Sequence, residues 1–117
     1  MLPSRTNLPI NPIVIIRDTI SGIAVLHVFG DVDIATAPEL EAELCRFGPS
    51  ETVVVDLSEC AFIDTSGIST LVRAFQRLKA HLRIVVAPQG HIARVLEIVR
   101  IPDIMTVSTS LEESLAA

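Results

Sequence analysis

The sequence predicts a single α/β domain, a mixed β-sheet of about four to five strands packed with about four helices. Three observations carry this expectation. Strand-type and helix-type segments alternate along the chain after an initial pair of strands. The run Val53-Val54-Val55 shows no polar alternation, as expected of a strand buried on both faces of a partly parallel sheet. Residues 68–79 place apolar side chains at three- and four-residue spacing, the signature of an amphipathic helix. At 117 residues, half of them apolar, the chain suits one domain that buries about two thirds of its unfolded surface.

Residues 1–12 contain Pro3, Pro9 and Pro12 without periodicity and read as a flexible N-terminal arm, leaving 13–117 as the domain. Residues 13–18 form a strand, Thr19-Ile20-Ser21-Gly22 a hairpin turn, and residues 23–29 a second strand. Gly30-Asp31-Val32-Asp33 then breaks the strand. Thr36-Ala37-Pro38-Glu39 opens a helix, with Thr36 as N-cap, Pro38 in the first turn and Glu39 completing a capping box. Ala37, Leu40, Leu44 and Phe47 share its inner face, and Gly48-Pro49 stops it.

The valine-rich strand spans 52–57. In the helix after it, Ile68, Leu71, Val72, Phe75 and Leu78 form the apolar stripe. Arg73, Gln76, Arg77 and Lys79 form its solvated face. Residues 82–87 are the next buried strand. Residues 88–100 form a third helix with Ile92, Val95, Leu96 and Val99 inward, and 104–107 a short last strand. The capping box Ser110-Leu111-Glu112-Glu113 opens a terminal helix.

Composition excludes several function classes. The chain has four Phe and neither Trp nor Tyr, too few aromatics for a base-stacking platform. Its formal net charge of −5 offers no basic field to nucleic acid, so a protein partner is expected to bring Arg or Lys. Cys45, Cys60, His27, His81 and His91 are scattered, which predicts no metal site. The cysteines read as buried, reduced small hydrophobes. No apolar run approaches the roughly 18 residues of a membrane span, and the N-terminus lacks a signal-peptide pattern. The expected location is therefore cytoplasmic. No cofactor motif is present.

Asp64-Thr65-Ser66-Gly67 is the most informative segment. It stands where a buried strand hands over to a helix N-terminus, a place whose free N–H groups and dipole favour oxygen ligands or phosphate. The same residues are ordinary N-cap vocabulary. Both readings, capping and a presented hydroxyl at Ser66, stand on the tetrapeptide alone. As chemistry for an enzyme it falls short. Ser66 occupies the Gly position of an Asp-Thr-Gly protease turn, a Gly-x-Ser-x-Gly elbow is absent, and His27 lies inside an apolar strand. No residue is assigned a catalytic role, and the expectation is that the protein is not an enzyme.

Three segments together resemble a known family, the bacterial anti-sigma factor antagonists, whose fold is the sulfate-transporter and anti-sigma-antagonist (STAS) domain. They are Gly30-Asp31-Val32-Asp33 with Ala37 and Glu39-Leu40, then Val53-Val54-Val55-Asp56-Leu57, then Phe62-Ile63-Asp64-Thr65-Ser66-Gly67-Ile68. Their order and spacing match, and the likeness runs from about Ile13 to the C-terminus. The resemblance implies a partner-switching regulator. Ser66 matches the serine that accepts phosphate in the family's Asp-Ser-Ser-Gly motif. The implied donor is an anti-sigma factor, a histidine-kinase-like ATP-binding serine kinase, and a phosphatase reverses the step. Unphosphorylated protein would bind the anti-sigma factor and free the sigma factor.

The resemblance also implies a partner-binding surface of Asp33, Asp64, Thr65, Ser66 and Gly67, with Asp33 expected to matter for binding and little for stability. Thr65 departs from the more usual serine, Ser69 stands where glycine is often seen, and the turn Lys79-Ala80-His81-Leu82 is shorter than in relatives. The same fold also serves as a non-phosphorylated scaffold, a sensor or a transport-system component, which is the alternative reading.

Overall fold

A computed structural model describes residues 12–116, so all but the last residue of the expected N-terminal arm lies outside the described part. Strand β1 (Val14–Ile20) pairs antiparallel with β2 (Ile23–Phe29), from Val14 opposite Phe29 to Ile20 opposite Ile23. Only Ser21 and Gly22 make the turn, with φ of 54° and 79°. Two consecutive positive φ values match the right-handed twist of the flanking strands, so the hairpin is tighter than the four-residue turn expected. Strands β3 (Val53–Glu59), β4 (Leu82–Val85) and β5 (Thr106–Ser108) then add in parallel. The sheet order is β1-β2-β3-β4-β5.

Four helices cover the sheet: α1 (Ala37–Leu44), α2 (Thr65–Leu78), α3 (His91–Ile98) and α4 (Leu111–Ala116). The main core lies on one face, where Leu26, Val28, Val53, Val55, Leu57 and Ile84 meet Leu40, Leu44, Leu71, Leu78, Ile92 and Leu96. On the other face Val25, Val54 and Val85 pack with Leu111 and Leu115 of α4. Both faces of the valine run are thus buried, as its lack of alternation predicts.

The helix boundaries differ from expectation for identifiable reasons. Helix α1 ends at Leu44, before Gly48-Pro49, where the Arg46 and Phe47 amides bond three residues back to the carbonyls of Glu43 and Leu44, and Arg77 of α2 donates to the carbonyls of Leu44 (2.8 Å) and Phe47 (3.0 Å). A guanidinium satisfying the last carbonyls and facing the negative dipole end is a C-cap supplied in trans. Arg73 is likewise engaged, its Nη2 2.6 Å from Glu41 Oε1 on α1. Of the face expected to be solvated, two members therefore clamp α2 to α1. The inner face of α2 is also rotated from the predicted stripe. Thr70 and Ala74 are buried with Leu71 and Leu78, while Ile68, Val72 and Phe75 sit half-buried at its margins. Small residues at 70 and 74 let α1 approach closely.

Helix α3 begins at His91, with Gly90 as N-cap, and ends before Val99, which is exposed rather than inward. A 3-10 turn (Ile101–Asp103) follows, and Met105 rather than Ile104 enters the core, which delays β5. At α4 the predicted cap is present in part, with the Glu113 amide donating to Ser110 Oγ at 3.1 Å. Cys60 is buried as expected, its thiol donating to the Phe62 carbonyl at 3.2 Å, and burial pushes that thiol above its usual value. Cys45 is exposed at the end of α1, contrary to the expectation of two buried cysteines.

On the second face of the sheet, His27 Nδ1 lies 2.9 Å from Asp56 Oδ2. Ser58 donates to the other carboxylate oxygen from its hydroxyl (2.6 Å) and its amide (3.0 Å). Burial pushes the Asp56 carboxyl up, but the bonds from Ser58 and His27 together hold it below its usual value. A carboxyl whose folded value is depressed contributes stability above its ordinary value of 3.8 and loses it as pH falls through the lower folded value. Asp56→Asn is therefore expected to be less stable than wild type at neutral pH, with the gap closing below about pH 4. Urea midpoints across the acid range check this; a gap independent of pH would refute it.

Leu71 is fully buried at the centre of the main core. Leu71→Ala is expected to cost about 2–5 kcal/mol in a denaturant titration. A loss below about 1 kcal/mol would mean that α2 presents a different face to the sheet.

Candidate functional site

The first and third sequence segments meet in a single parallel bridge between Val32 and Ile63. The Val32 amide donates to the Phe62 carbonyl (2.9 Å), and the Asp64 amide donates back to the Val32 carbonyl (3.1 Å). Because β2 and β3 run parallel, both loops leave the sheet at the same edge, the carboxyl end where α/β proteins place their sites. Val32 and Ile63 are both buried. Gly30 makes the exit from β2 feasible. Its φ is 103°, and a Cβ there would stand 2.6 Å from the Pro12 carbonyl oxygen.

Asp64 caps α2. Its Oδ1 accepts from the amides of Ser66 (2.8 Å) and Gly67 (3.3 Å), so the helix starts at Thr65, three residues before the predicted start. The capping reading of the tetrapeptide thus belongs to Asp64, and the Ser66 hydroxyl takes no part in the cap. Gly67 sits on the bridge itself. A Cβ at that position would lie 2.6 Å from Ile63 Cγ1 and 2.7 Å from Val32 Cγ1. Only glycine lets the first turn of α2 rest directly on the paired loops. Gly67 is accordingly buried, Thr65 is exposed and Ser66 is half-buried.

Ser66 Oγ has no hydrogen-bond partner among the described residues, while its carbonyl accepts from Thr70 Oγ1 at 3.1 Å. The hydroxyl opens on a groove of about 560 Å³ between α1 and α2. Ile34, Pro38 and Glu41 form one wall; Ser66, Ser69 and Arg73 form the other. The Arg73–Glu41 pair crosses from wall to wall and holds the Glu41 carboxyl below its usual value through that hydrogen bond.

Asp33 has a local role that the sequence did not disclose. Its Oδ1 accepts from the amides of Ala35 (2.9 Å) and Thr36 (3.1 Å). Thr36 Oγ1 accepts from the Asp33 amide (2.9 Å) and donates to the Asp31 carbonyl (2.7 Å). Thr36 makes no side-chain cap to α1, and the expected box with Glu39 is not formed. Asp33 and Thr36 instead lock the loop before the helix. The Asp33 carboxylate is therefore part of the loop's own hydrogen bonding as well as a surface charge; without it the exposed Ala35 amide would lose its acceptor, while the Thr36 amide would keep the Asp33 carbonyl at 3.2 Å.

Asp31, Asp33 and Asp64 flank the bridge, and among the described residues neither Asp31 nor Asp64 is in an ion pair. His91, at the start of α3, stacks on Phe62 with ring centroids 5.7 Å apart. Among the described residues, no nucleophile–base hydrogen bond is formed at this site. The nearest resemblance to one, His27–Asp56–Ser58, lies on the sheet, and its serine bonds the carboxylate rather than the imidazole. Among the described residues, no three His, Cys, Asp or Glu side chains are grouped to hold a metal. Asp33, Asp64, Thr65 and Ser66 are thus gathered around the bridge, with Gly67 buried beneath them. Val32, Ile34 and the Arg73–Glu41 pair are members that sequence reasoning missed, because their roles depend on tertiary contacts.

A family model described as "STAS domain" matches residues 14–114. Among solved structures, an anti-sigma factor antagonist from Mycobacterium paratuberculosis superposes with a TM-score of 0.81 at 22% identity, covering 90% of this chain and 92% of that one. A Thermotoga maritima protein, described as a candidate anti-sigma factor antagonist, gives 0.70 at 13% identity over 87% and 92%. The anti-sigma factor antagonist SpoIIAA in its unphosphorylated form gives 0.66 at 15% identity over 87% and 93%. At these identities the likeness is one of fold.

Gly67→Ala is expected to destabilise the protein by about 1–3 kcal/mol, since the added methyl meets the buried side chains of Ile63 and Val32 rather than open space. Denaturant unfolding measures it. An unchanged midpoint would mean that α2 does not rest on the bridge.

Proposed function

The chain belongs to the STAS domain family, and from that premise we propose that it is a cytoplasmic anti-sigma factor antagonist switched off by phosphorylation of Ser66. The observation that carries this reading is the state of the Ser66 hydroxyl. It is half-buried, has no hydrogen-bond partner among the described residues, and lines the groove between α1 and α2 in the residue next but one to the capping Asp64. The partner is a histidine-kinase-like ATP-binding anti-sigma factor that also serves as the serine kinase. In the transfer, Ser66 Oγ bonds the γ-phosphorus of Mg-ATP, the bond to the β-phosphate oxygen breaks, ADP leaves, and the hydroxyl proton passes to the kinase or solvent. A phosphatase restores the hydroxyl. The protein is in this reading a substrate and not itself an enzyme.

The capping arrangement sharpens the consequence of the modification. A phosphate at a helix N-terminus ordinarily gains from free amides. Here Asp64 already takes the amides of Ser66 and Gly67, so the phosphate keeps the dipole attraction and loses two donors. It adds about −1.5 to −2 charges beside Asp31, Asp33 and Asp64. The interface then carries a concentrated negative field and strongly hydrated oxygens where a partner must make dry contact, and association weakens without any backbone change.

Ser66→Ala is expected to abolish phosphorylation while retaining affinity for the anti-sigma factor. Ser66→Asp is expected to weaken binding less than phosphate does, since it brings one charge instead of nearly two. Incubation with the kinase-type anti-sigma factor and Mg-ATP, followed by intact mass, site mapping and titration calorimetry, measures all three species. Phosphate mapped to Thr65 or Ser69 would refute the acceptor. Unchanged affinity of fully Ser66-phosphorylated protein would refute the switch.

A further inference from the structure

Building on that functional reading, we infer that Ile34 is the apolar anchor of the partner interface and that Asp33 is a positioning residue acting through it. Ile34 is 79% exposed, more than any other large apolar side chain among the described residues. A lone exposed isoleucine needs no explanation in itself. The way this one is held does. Asp33 Oδ1 takes the amides of Ala35 and Thr36, Thr36 Oγ1 ties the loop to the Asp31 carbonyl, and the Asp33 carbonyl accepts from the Ala37 amide at 2.7 Å. These bonds turn the loop's polar groups inward, and the side chain between them is left pointing out. A fixed apolar projection costs little ordering entropy on binding, which is the property of an interface anchor.

Its position selects the occupant. Ile34 and Pro38 stand across the α1–α2 groove from Ser66. A kinase that brings the γ-phosphorus to bonding distance from Ser66 Oγ has to cover this groove, so Ile34 falls within its footprint. The surrounding charge states what that surface offers. Asp31 and Asp64 have no cationic partner among the described residues. The complementary segment of the anti-sigma factor therefore carries an apolar side chain for Ile34 and Pro38, flanked by Lys or Arg. Asp33 contributes mainly by its hydrogen bonds to the loop, so its amide counterpart is an adequate substitute.

The test is titration calorimetry of the full chain against the purified kinase-type anti-sigma factor of the same organism. Ile34→Ser is expected to weaken binding about tenfold or more with an unchanged denaturation midpoint. Ile98→Ser serves as the matched control. That side chain is 72% exposed at the far end of α3 from the Phe62–His91 stack, and affinity should stay within about twofold of wild type. Asp33→Asn should retain wild-type affinity and stability, because its side-chain oxygen still accepts the loop amides, whereas Asp33→Ala should lose both. Equal affinity of wild type and Ile34→Ser would overturn the anchor. Equal losses in Asp33→Asn and Asp33→Ala would overturn the positioning role and assign Asp33 to direct charge recognition. Absence of binding by wild type would overturn the functional reading itself, and this inference with it.

Discussion

The two hydrogen bonds that join Val32 to Phe62 and Asp64 are the constraint on which the candidate site depends. They convert two loops, separated by about thirty residues of chain, into one rigid platform at the edge of the sheet. Everything on the surface is then placed relative to that platform. Gly67 seats α2 on it, Asp64 starts the helix beside it, and the Asp33–Thr36 lock begins on its other side. Ser66 gains its orientation because the residue after it can approach the bridge without a side chain. A larger residue at 67 would lift the first turn and carry the hydroxyl away from the groove.

Two arginines do for the helices what the bridge does for the loops. Arg77 closes the end of α1, and Arg73 pairs with Glu41 across the groove. The exposed Arg73–Glu41 pair is of modest energetic value by itself. Its geometric effect is more important, since it sets the separation of the groove walls. The groove is consequently defined at one end by packing against the bridge and along its length by fixed charges.

Much of this was legible in the sequence. The valine run announced a strand buried on both sides, the punctuation at Gly22 and Gly30 marked the turns, and three short segments identified the STAS fold and the Ser66 region. The remainder was hidden because it depends on partners distant in the chain. Nothing local at Leu44 says that α1 ends there; the carbonyls it exposes are satisfied by Arg77, thirty-three positions away. The stripe on α2 rotated because Thr70 and Ala74, unremarkable in a helical pattern, face another helix. The loop bonds of Asp33 are invisible in sequence, since an acid that bonds its own loop has the same sequence signature as one that meets a partner. Thr36 misled in the same manner, with cap-like chemistry directed backward into the loop instead of forward into the helix.

The order of the sheet follows the order of the chain, β1-β2-β3-β4-β5. Each new strand joins the edge left by the one before it, so the sheet can be assembled in the direction in which a ribosome delivers it. The bridge, the Asp33 lock, the seat of Gly67 and both arginine ties involve residues between 31 and 77. The candidate site is thus built by β3, two helices and the loops around them, while β4, β5 and the two later helices extend the sheet and its two cores. The architecture separates the candidate site from its support along the polypeptide. Substitutions in the later elements can tune rigidity, turnover or solubility while leaving the candidate surface free to vary on its own.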